Sequence, residues 1–495
     1  MARDPFAPLC RRQRARGRAR AARRALSRLV LPGRPRARRE GPPSVVLIGV
    51  DTLRRDHVGP ELTPSLHALA AAGLDLTDVT APAPWTLPSF AGALTGLMPS
   101  LHGARLTGQV RNMDAQPPRR LRDGTVTLAR HLAARGYATC ALYANQFFGF
   151  GLAETFQRHQ YLNLTADHLL AEAAEWIRRN AGRPFFCFVL VNDPHEPTTP
   201  PVDLLVSELA ALDVAPPSSR ELQQLAAWGD PDRPDAHLGL CGWPLPEPAR
   251  RTRELKRAVY RACVREIDRA IGRFVERLER RGLADHVLCT VFSDHGEEFC
   301  DHGAEAHAWD HDPRRVRGIG HGHSQFQELL HVPWLSWGAG VPALGQVGTP
   351  VSLLDLAPTV ADWLAAGAFP LPAPAVPGMV GRPLATAGPD PDRVLLAESI
   401  AFGPDLVSVR QGPWKLIAHR EGRPLGLYDL AADPRERDDR HTAQPERLRA
   451  FQAVLARWRQ AVPPAVERGK GDGGSGWSSI DDEVRKRLKD LGYGE

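Results

Sequence analysis

The stretch HVLCTVFSDH, residues 286–295, is an apolar run that ends abruptly in an aspartate and a histidine. Val45–Val50 is a second such run and ends at Asp51, and Phe185–Val191 is a third that leads into Asp193. Continuous apolar runs of this length are typical of buried parallel strands. In an open α/β sheet, ligands bind outside the carboxyl ends of the strands. The pattern therefore predicts that side chains from distant segments meet at one edge of a sheet.

Amphipathic helical patterns separate these apolar runs. Thr63 and Pro64 are typical of the first turn of a helix, and Gly73 is a typical helix end. Three longer helical patterns follow, at Thr125–Arg135, Thr165–Asn180 and Arg253–Arg281. Because strands and helices alternate, the sequence predicts an α/β fold in which a mostly parallel sheet is sandwiched by helices.

Changes in the residue pattern along the sequence predict that the chain has four parts. After about residue 385 the patterns become short strands and one helix, at Arg393–Ile400, Val407–Ala418, Leu425–Leu430 and Pro445–Gln460. We expect a basic, disordered arm over 1–42, the main catalytic domain over 43–385, a smaller C-terminal α+β subdomain over 386–464, and a linker with a short terminal helix over 465–495. The Pro-rich stretch 196–250 is expected to be an insertion over the active face.

Composition bounds the class of protein. The apolar fraction of 43% and the charged fraction of 24% are ordinary for a globular chain. Residues 1–39 carry 14 arginines and one acidic residue, so the net charge of +6 originates in the arm and the body is mildly acidic. The arm could tether the protein to nucleic acid or an anionic membrane, or it could be dispensable. Since arginine outnumbers lysine throughout the chain, we expect no specific nucleic-acid partner.

Cysteine use and hydropathy lead to an expectation about location. The 7 cysteines include no CxxC pair, and several lie inside strand-like runs, where a free thiol packs as a small apolar group. No run of about 18 apolar residues is present, so no membrane span is expected. These features predict a cytoplasmic protein. The oligomeric state is left open.

The turn at residues 85–89, WTLPS, is the candidate reactive segment. Pro88 suits the first turn of a helix that Gly96 would end. Thr86 would then stand at the positive end of the helix, where backbone N–H groups attract an anionic ester. A hydroxyl there can be activated as a nucleophile by a bound cation, although a threonine before a helix is often only a cap.

Aspartates and histidines at the strand ends are candidate metal ligands. Asp51 and the adjacent pair Asp294 and His295 would place oxygen and nitrogen donors on one ion, together with the Thr86 oxygen. Such a mixed set suits Mn, Zn or Ca. The alternative for each aspartate is a capping role in a loop.

Further polar residues are candidates for contact with substrate. His195 and His323 could protonate a leaving group, contact the ester oxygens or hold a second metal. The expected contacts to substrate come from Ser89, Asp193, His302 and His321. Residues 301–312 are otherwise expected to form a solvated loop over the site.

Taken together, these segments resemble the sulfatase family of the alkaline-phosphatase superfamily. The resemblance runs from about Val45 to Arg459. The matching segments are DTLR (51–54), TPSL (63–66), TLPS (86–89), LTGLMPSLHG (94–103), DPHEP (193–197), SDHGE (293–297), HGHS (321–324), DLAPT (355–359), GPWKL (412–416) and LYDL (427–430). The resemblance implies an alkaline-phosphatase-like fold and a metal-dependent hydrolase of small-molecule, glycan or lipid esters.

The chain departs from the family pattern at its most informative positions. Family sulfatases have Cys or Ser where this chain has Thr86, and Arg where it has Phe90, and the Cys or Ser is oxidised to formylglycine. Threonine cannot give that aldehyde, so no formylglycine is expected. Thr52 replaces a second family aspartate. The family's Lys and His that bind sulfate are missing after residue 137, and Asn145 could replace one of those contacts.

The absence of a formylglycine aldehyde favours some classes of ester over others as the substrate. A formylglycine hydrate releases sulfate by collapsing to the aldehyde, whereas a sulfated threonine has no such exit. A phosphorylated threonine can be cleared by a second in-line attack, so the sequence favours a phosphodiester, phosphonate or phosphomonoester. The alternatives are a sulfuric ester hydrolase without formylglycine, a head-group transferase, and a catalytically dead binding protein.

Overall fold

The computed structural model of the chain describes residues 41–107, 110–111, 118–196, 198–218, 221, 247–302, 318–387 and 390–462. The expectations for the linker and terminal helix over 465–495, and for the arm apart from residues 41–42, lie outside the described residues. The same is true of residues 303–317, and of residues 197, 219–220 and 222–246 within the expected insertion.

The strands of the described chain are β1 Ser44–Val50, β2 Leu74–Thr80, β3 Val110–Arg111, β4 Ala138–Tyr143, β5 Arg158–Tyr161, β6 Phe185–Val191, β7 Val287–Ser293, β8 Glu298–Phe299, β9 Ile319–Gly320, β10 His331–Gly338, β11 Gly345–Val347, β12 Val351–Ser352, β13 Val394–Ala397, β14 Gly403–Pro404, β15 Leu406–Gln411, β16 Trp414–His419 and β17 Pro424–Asp429. Nine of them form the main sheet in the order β11-β2-β10-β7-β1-β6-β4-β5, with β12 also paired to β2.

The α-helices of the described chain are α1 Pro64–Ala71, α2 Thr86–Thr95, α3 Pro99–His102, α4 Leu128–Ala133, α5 Ala166–Asn180, α6 Val202–Ala211, α7 Glu247–Arg280, α8 Gln327–Leu330, α9 Leu356–Trp363, α10 Leu384–Ala387 and α11 Pro445–Ala461. Short 3₁₀ turns lie at Arg55–His57, Gln146–Gly149, Ala153–Thr155, Ala284–His286 and Leu353–Asp355. No helix in the described ranges combines the length and the apolar character needed to cross a bilayer.

The predicted α/β architecture is confirmed. Strand β1 lies between β6 and β7, parallel to both, and these three strands are the apolar runs that the sequence singles out. Strand β10 is antiparallel to β7 and to β2, which makes the sheet mixed but mostly parallel. Neither β2 nor β10 was predicted, because polar residues interrupt the apolar residues in both strands and Pro333 interrupts β10 at a bulge.

Both faces of the sheet are buried, as a parallel sheet requires. Along β1, Val45 and Leu47 belong to one apolar cluster, while Val46, Ile48 and Val50 belong to the other. The first cluster packs against α2 and α9, and the second against α5 and α7. The alternation of side chains along a strand therefore places helices on both sides of the strand ends that carry the site.

Two predicted elements differ in extent from the observed ones. Helix α4 is shorter than the predicted Thr125–Arg135, because Thr127 caps it and its hydroxyl accepts a hydrogen bond from the Arg130 amide at 3.3 Å. The predicted strand Val407–Ala418 is a hairpin of β15 and β16 that turns at Gly412, which has a φ of 56°.

The C-terminal part forms its own four-stranded antiparallel sheet in the order β13-β15-β16-β17, against which α11 packs. The proposed domain boundary between residues 385 and 386 falls within α10. Buried Arg393, directly before β13, makes a two-point ion pair with buried Asp355 beside α9. This pair ties the small sheet to the main body.

The described part of the insertion is more regular than expected. Helix α6 packs Leu204, Leu205 and Leu209 against α7. Its fully buried Glu208 accepts hydrogen bonds from Arg261 and Arg265 of α7 at 2.7 and 2.6 Å. The insertion is thus anchored to the long helix by apolar contacts and by a buried carboxylate.

Candidate active site

Thr86 is the first residue of α2 and is 2% exposed. The preceding Trp85 is extended and its indole N–H donates to the carbonyl of Ser399 at 2.6 Å, which fixes the entry to the helix. The helix ends at Gly96, which adopts a φ of 70° as a left-handed cap. The hydroxyl of Thr86 therefore lies, as predicted, at the helix end where unpaired N–H groups favour an anion.

Asp51, Asp294 and His295 meet next to this threonine. Asp51 directly follows β1, and Asp294 with His295 follows the neighbouring strand β7. The Nε2 atom of His295 lies 3.4 Å from Asp51 Oδ1, 3.2 Å from Asp294 Oδ2 and 3.4 Å from Thr86 Oγ1. All three predicted ligands are 0% exposed. The structure thus brings together the four residues that the sequence proposed around a metal.

The donor atoms of this group fit a divalent cation. Asp51 Oδ1 and both carboxylate oxygens of Asp294 are buried without a hydrogen-bond partner, an arrangement that is costly unless a cation compensates it. The Nδ1–H of His295 donates to the carbonyl of Gly296 at 2.9 Å, which leaves Nε2, on the side of the carboxylates, as the ring nitrogen available to a cation. Two carboxylates, one imidazole and one hydroxyl form a mixed oxygen and nitrogen set.

Electrostatics show how closely these groups interact. Burial, reinforced by the charge of Asp294, raises the pKa of Asp51 to about 6. Burial alone would lower the pKa of His295, but Asp294 and Asp51 outweigh it and raise that pKa to about 9. Without a cation the ring thus takes up a proton between the two carboxylates, which is the charge that a divalent ion would replace.

Asn145 and Ser89 hold the ligands in place. The amide of Asn145 donates to Asp51 Oδ2 at 2.6 Å and to Thr86 Oγ1 at 3.4 Å, and its own oxygen accepts from the Phe147 amide. The Ser89 hydroxyl donates to the Asp294 carbonyl at 2.7 Å. Asn145 is therefore placed to contact both the candidate nucleophile Thr86 and the candidate ligand Asp51. Ser89, which was predicted to contact substrate, instead holds the loop that carries Asp294.

His195 and His321 lie beside the metal group. The ring of His321 lies 4.5 Å from that of His295 and 4.8 Å from that of His195, measured between centroids. Its Nδ1 is paired with Glu297 Oε2 at 2.9 Å. Burial is the main cause that lowers the pKa of His321 to about 3, and the neighbouring His295 and His195 add to it. His321 therefore adjoins the candidate ligand His295, and His195 lies next to His321.

Two predicted substrate contacts, Asp193 and His302, and the predicted proton donor His323 have other partners in the structure. Both oxygens of Asp193 accept hydrogen bonds from the Ala166 amide, at 3.1 and 2.9 Å, so this carboxylate caps α5. His323 pairs with Glu298 at 2.8 Å, and His302 pairs with Glu328 at 2.8 Å. The structure places these two histidines in a second buried cluster, so we no longer assign proton donation to His323 or substrate contact to Asp193 and His302.

The turn after Asp51 is strained. Thr52 has a φ of 60°, a conformation that is a clear outlier for a β-branched residue and costs roughly 1–2 kcal/mol. Its carbonyl accepts from the Tyr260 hydroxyl at 2.7 Å, and the next amide, of Leu53, donates to Ser293 Oγ at 2.9 Å. These bonds to α7 and to β7 hold the turn that carries Asp51.

Sequence reasoning missed two residues near the site. Glu297 lies two positions after His295, within the same acidic motif, so the sequence could have revealed it. Its carboxylate orients His321. Lys256 lies in the N-terminal third of α7 and is 4% exposed, paired with Glu196 next to His195. No local pattern marks Lys256, because a lysine on a charged helix is usually solvated.

The chain is similar to proteins that are described as sulfatases. Residues 43–366 match the protein-family model described as Sulfatase. A protein of Formosa agariphila described as a sulfatase is 23% identical over 380 residues, which are 65% of this chain and 69% of that protein. Arylsulfatase K of Mus musculus is 27% identical over 305 residues, 56% of this chain and 50% of its own length. The chain therefore spans about half of the latter relative.

A solved structure shows the same fold. The phosphonate monoester hydrolase of Agrobacterium radiobacter superposes with a TM-score of 0.60 at 20% identity, and the match covers 84% of this chain and 96% of that one. At this level of identity the likeness concerns the architecture.

Proposed function

Since this chain belongs to the sulfatase family of the alkaline-phosphatase superfamily, whose members are ester hydrolases, we propose that it cleaves phosphate-type esters with Thr86 as the nucleophile. The observation that carries the proposal is the position of a buried threonine hydroxyl 3.4 Å from the ring nitrogen of a ligand histidine, at the N-terminus of a helix. The substrate class is a phosphodiester, a phosphonate ester or a phosphomonoester.

Phosphorus is favoured over sulfur because of how the covalent state must be cleared. Attack by Thr86 Oγ on phosphorus forms the Thr–O–P bond and expels the alcohol. Attack by water on the same phosphorus then breaks that bond and restores the hydroxyl, with release of phosphate from a monoester, a phosphomonoester from a diester, or a phosphonate from a phosphonate ester. A formylglycine would instead eject sulfate without attack on sulfur. A solved relative that is a phosphonate monoester hydrolase supports the idea that this fold accommodates phosphorus esters.

The surroundings of Phe90 support the same proposal. This residue stands where the family pattern has arginine, and it is 1% exposed within a cluster of aromatic rings that includes Phe188 and Phe292. A guanidinium group at this position would be buried among apolar rings without a partner, at a cost of several kcal/mol. The aromatic packing of Phe90 therefore supports the proposal that residue 86 is an unmodified threonine.

Each residue of the site takes a separate role in this scheme. A divalent ion held by Asp51, Asp294, His295 and Thr86 would supply positive charge that favours the Thr86 alkoxide and neutralises the ester. Mn, Zn and Ca are the candidates. The amide of Asn145 donates to the Thr86 oxygen and orients its lone pairs. The first amides of α2 face the equatorial oxygens of the ester.

We assign protonation of the leaving group to His195. The Nδ1–H of His195 donates to the Glu196 carbonyl at 2.6 Å, which leaves Nε2 as the ring nitrogen available to a leaving group, and the ring lies 4.8 Å from that of His321. His321 is held neutral by its burial and suits hydrogen bonding to an ester oxygen.

A turnover panel tests the function. Aryl phosphate monoester, phosphodiester, phosphonate monoester and sulfate monoester are compared with Mn, Zn and Ca in turn. We expect the highest kcat/KM with one of the phosphorus esters, and rapid quench with a slow substrate should add the mass of a phosphoryl or phosphonyl group to the peptide that contains Thr86. A clear preference for the sulfate ester, or the absence of turnover with every ester and metal, would contradict the proposal.

A further inference from the structure

Glu298, His302 and Glu328 form a second group of metal-type donors outside the site described above. One donor atom of each residue lies within 4.8 Å of the other two. The side chains are deeply buried, with 0%, 5% and 9% exposure respectively. Two donors bound at about 2.1 Å to one ion lie at most about 4.2 Å apart, so a small rotation of these side chains brings all three onto a common ion.

The orientation of two of these side chains is fixed by their neighbours. The ring of His302 stacks on Phe326 with centroids 3.7 Å apart and an angle of 14° between the planes. The carboxylate of Glu298 pairs with Nε2 of fully buried His323 at 2.8 Å. A histidine that orients a ligating carboxylate and an apolar ring that orients a ligating histidine are the usual outer supports of a protein metal site.

We propose that Glu298, His302 and Glu328 bind a second divalent cation, Zn²⁺ or a similar transition metal, distinct from the ion at Asp51, Asp294 and His295. Two carboxylates and one imidazole suit Zn²⁺, and three protein ligands leave a coordination position for water. The proposal is independent of the substrate and of the role of Thr86.

A route into the second cluster is present. His302 and Glu328 line a cavity of about 620 Å³, and the described residues that line it include none of Asp51, Thr86 and Asp294. Five arginines also line this cavity, at positions 54, 253, 257, 435 and 437. Arg253 and Arg257 are paired with Glu254, and Arg437 donates to the Asp301 carbonyl. The Arg54 guanidinium is paired with Asp56 and Asp301, so its charge is compensated rather than turned against a cation.

The competing arrangement is a proton in place of the metal. A protonated His302 could bridge Glu328, to which its Nδ1 is paired at 2.8 Å, and the nearby Glu298. The two arrangements make opposite predictions for metal content, since a proton bridge binds no zinc whereas the proposed site binds one equivalent.

Metal analysis of the full-length protein, loaded with Zn²⁺ and then dialysed, distinguishes them. We expect two equivalents in the wild type, one in Asp294→Asn, one in Glu328→Gln, and none above background in the double variant. Glu208→Gln serves as the matched control. It changes a buried carboxylate that pairs with Arg261 and Arg265 of α7, and it should retain two equivalents of zinc. Circular dichroism verifies that each variant is folded.

A second measurement keeps the test decisive if Glu328→Gln does not fold. Titration of metal-free Asp294→Asn with Co²⁺ should give one equivalent of a visible d–d absorption, which excess Zn²⁺ abolishes. One equivalent of zinc in the wild type with none in Asp294→Asn would overturn the proposal, as would two equivalents in a folded Glu328→Gln.

Discussion

The hydroxyl oxygen of Thr86 lies 3.4 Å from Nε2 of His295, although 209 residues separate the two along the chain. The contact arises because β7 carries His295 to the same edge of the sheet at which α2 begins. It places a potential nucleophile against a potential metal ligand at the positive end of a helix. The consequences of this geometry can be measured.

Thr86→Ala should reduce kcat by several orders of magnitude, since the reacting oxygen is lost. Thr86→Ser should keep a measurable rate because only a methyl group is removed. Steady-state kinetics with the best ester of the panel gives both values. Thr95→Ala is the matched control. This buried threonine lies at the other end of α2, where its hydroxyl donates to the Ala91 carbonyl at 2.6 Å, and its loss should leave kcat nearly unchanged. Wild-type turnover in Thr86→Ala would remove the residue from the reaction.

His195→Asn should slow the cleavage of an ester with a poor leaving group more than that of an ester with a good one. A nitrophenolate leaves without protonation, whereas an alkoxide requires a proton, so the rate with an alkyl ester should fall by about 10²–10⁴ and the rate with a nitrophenyl ester far less. His321→Asn, in contrast, should raise KM for both esters to a similar extent. Equal losses of kcat for both leaving groups in His195→Asn would show that His195 is not the acid.

Acid should destabilise the fold through His102. This fully buried histidine donates from Nε2 to the Pro88 carbonyl in α2 and accepts at Nδ1 from the Ala104 amide, so it must be neutral in the folded state. Burial lowers its pKa from 6.5 to about 3. The folded state therefore binds fewer protons than the unfolded one, and the stability that depends on the neutral ring is present above pH 6.5 and is lost as the pH falls toward 3.

The measurement for His102 is denaturant unfolding of the wild type and of His102→Gln at several pH values. The difference in unfolding free energy between them should shrink by about 1.4 kcal/mol for each pH unit between roughly pH 6 and pH 4. A difference that does not change with pH over this interval would show that the ring is not held neutral.

Arg393→Met should destabilise the protein strongly. The guanidinium of Arg393 makes two hydrogen bonds to Asp355, one of them 2.8 Å long, and the two residues are 7% and 0% exposed. Removal of one partner of a buried ion pair costs about 3–5 kcal/mol, because the other charge stays buried. Arg382→Met, whose side chain pairs with exposed Asp390 at 3.2 Å, is the control and should cost under about 1 kcal/mol in the same thermal and denaturant measurements.

Local patterns in the sequence were enough to predict the strand ends of the site. The apolar runs before Asp51 and Asp294 define buried strands, and in a parallel sheet such strands end at the same edge, so their polar ends had to come together. Pro88 and Gly96 likewise mark the helix that begins at Thr86. The same local information missed β10, because a strand interrupted by Pro333 and rich in tryptophan has no clear period.

The roles of the other polar residues were decided by tertiary packing. Nothing in the pattern around Asp193 distinguishes a substrate contact from a cap on α5, and nothing around His302 and His323 distinguishes the reactive site from a second buried cluster. Hydrophobic periodicity reports which face of a segment is buried. It carries no information on which polar group, a hundred or more residues away, packs against that face. The sequence by itself therefore determined the fold class, the candidate nucleophile and the candidate metal ligands, and the tertiary structure alone decided which histidines lie beside them.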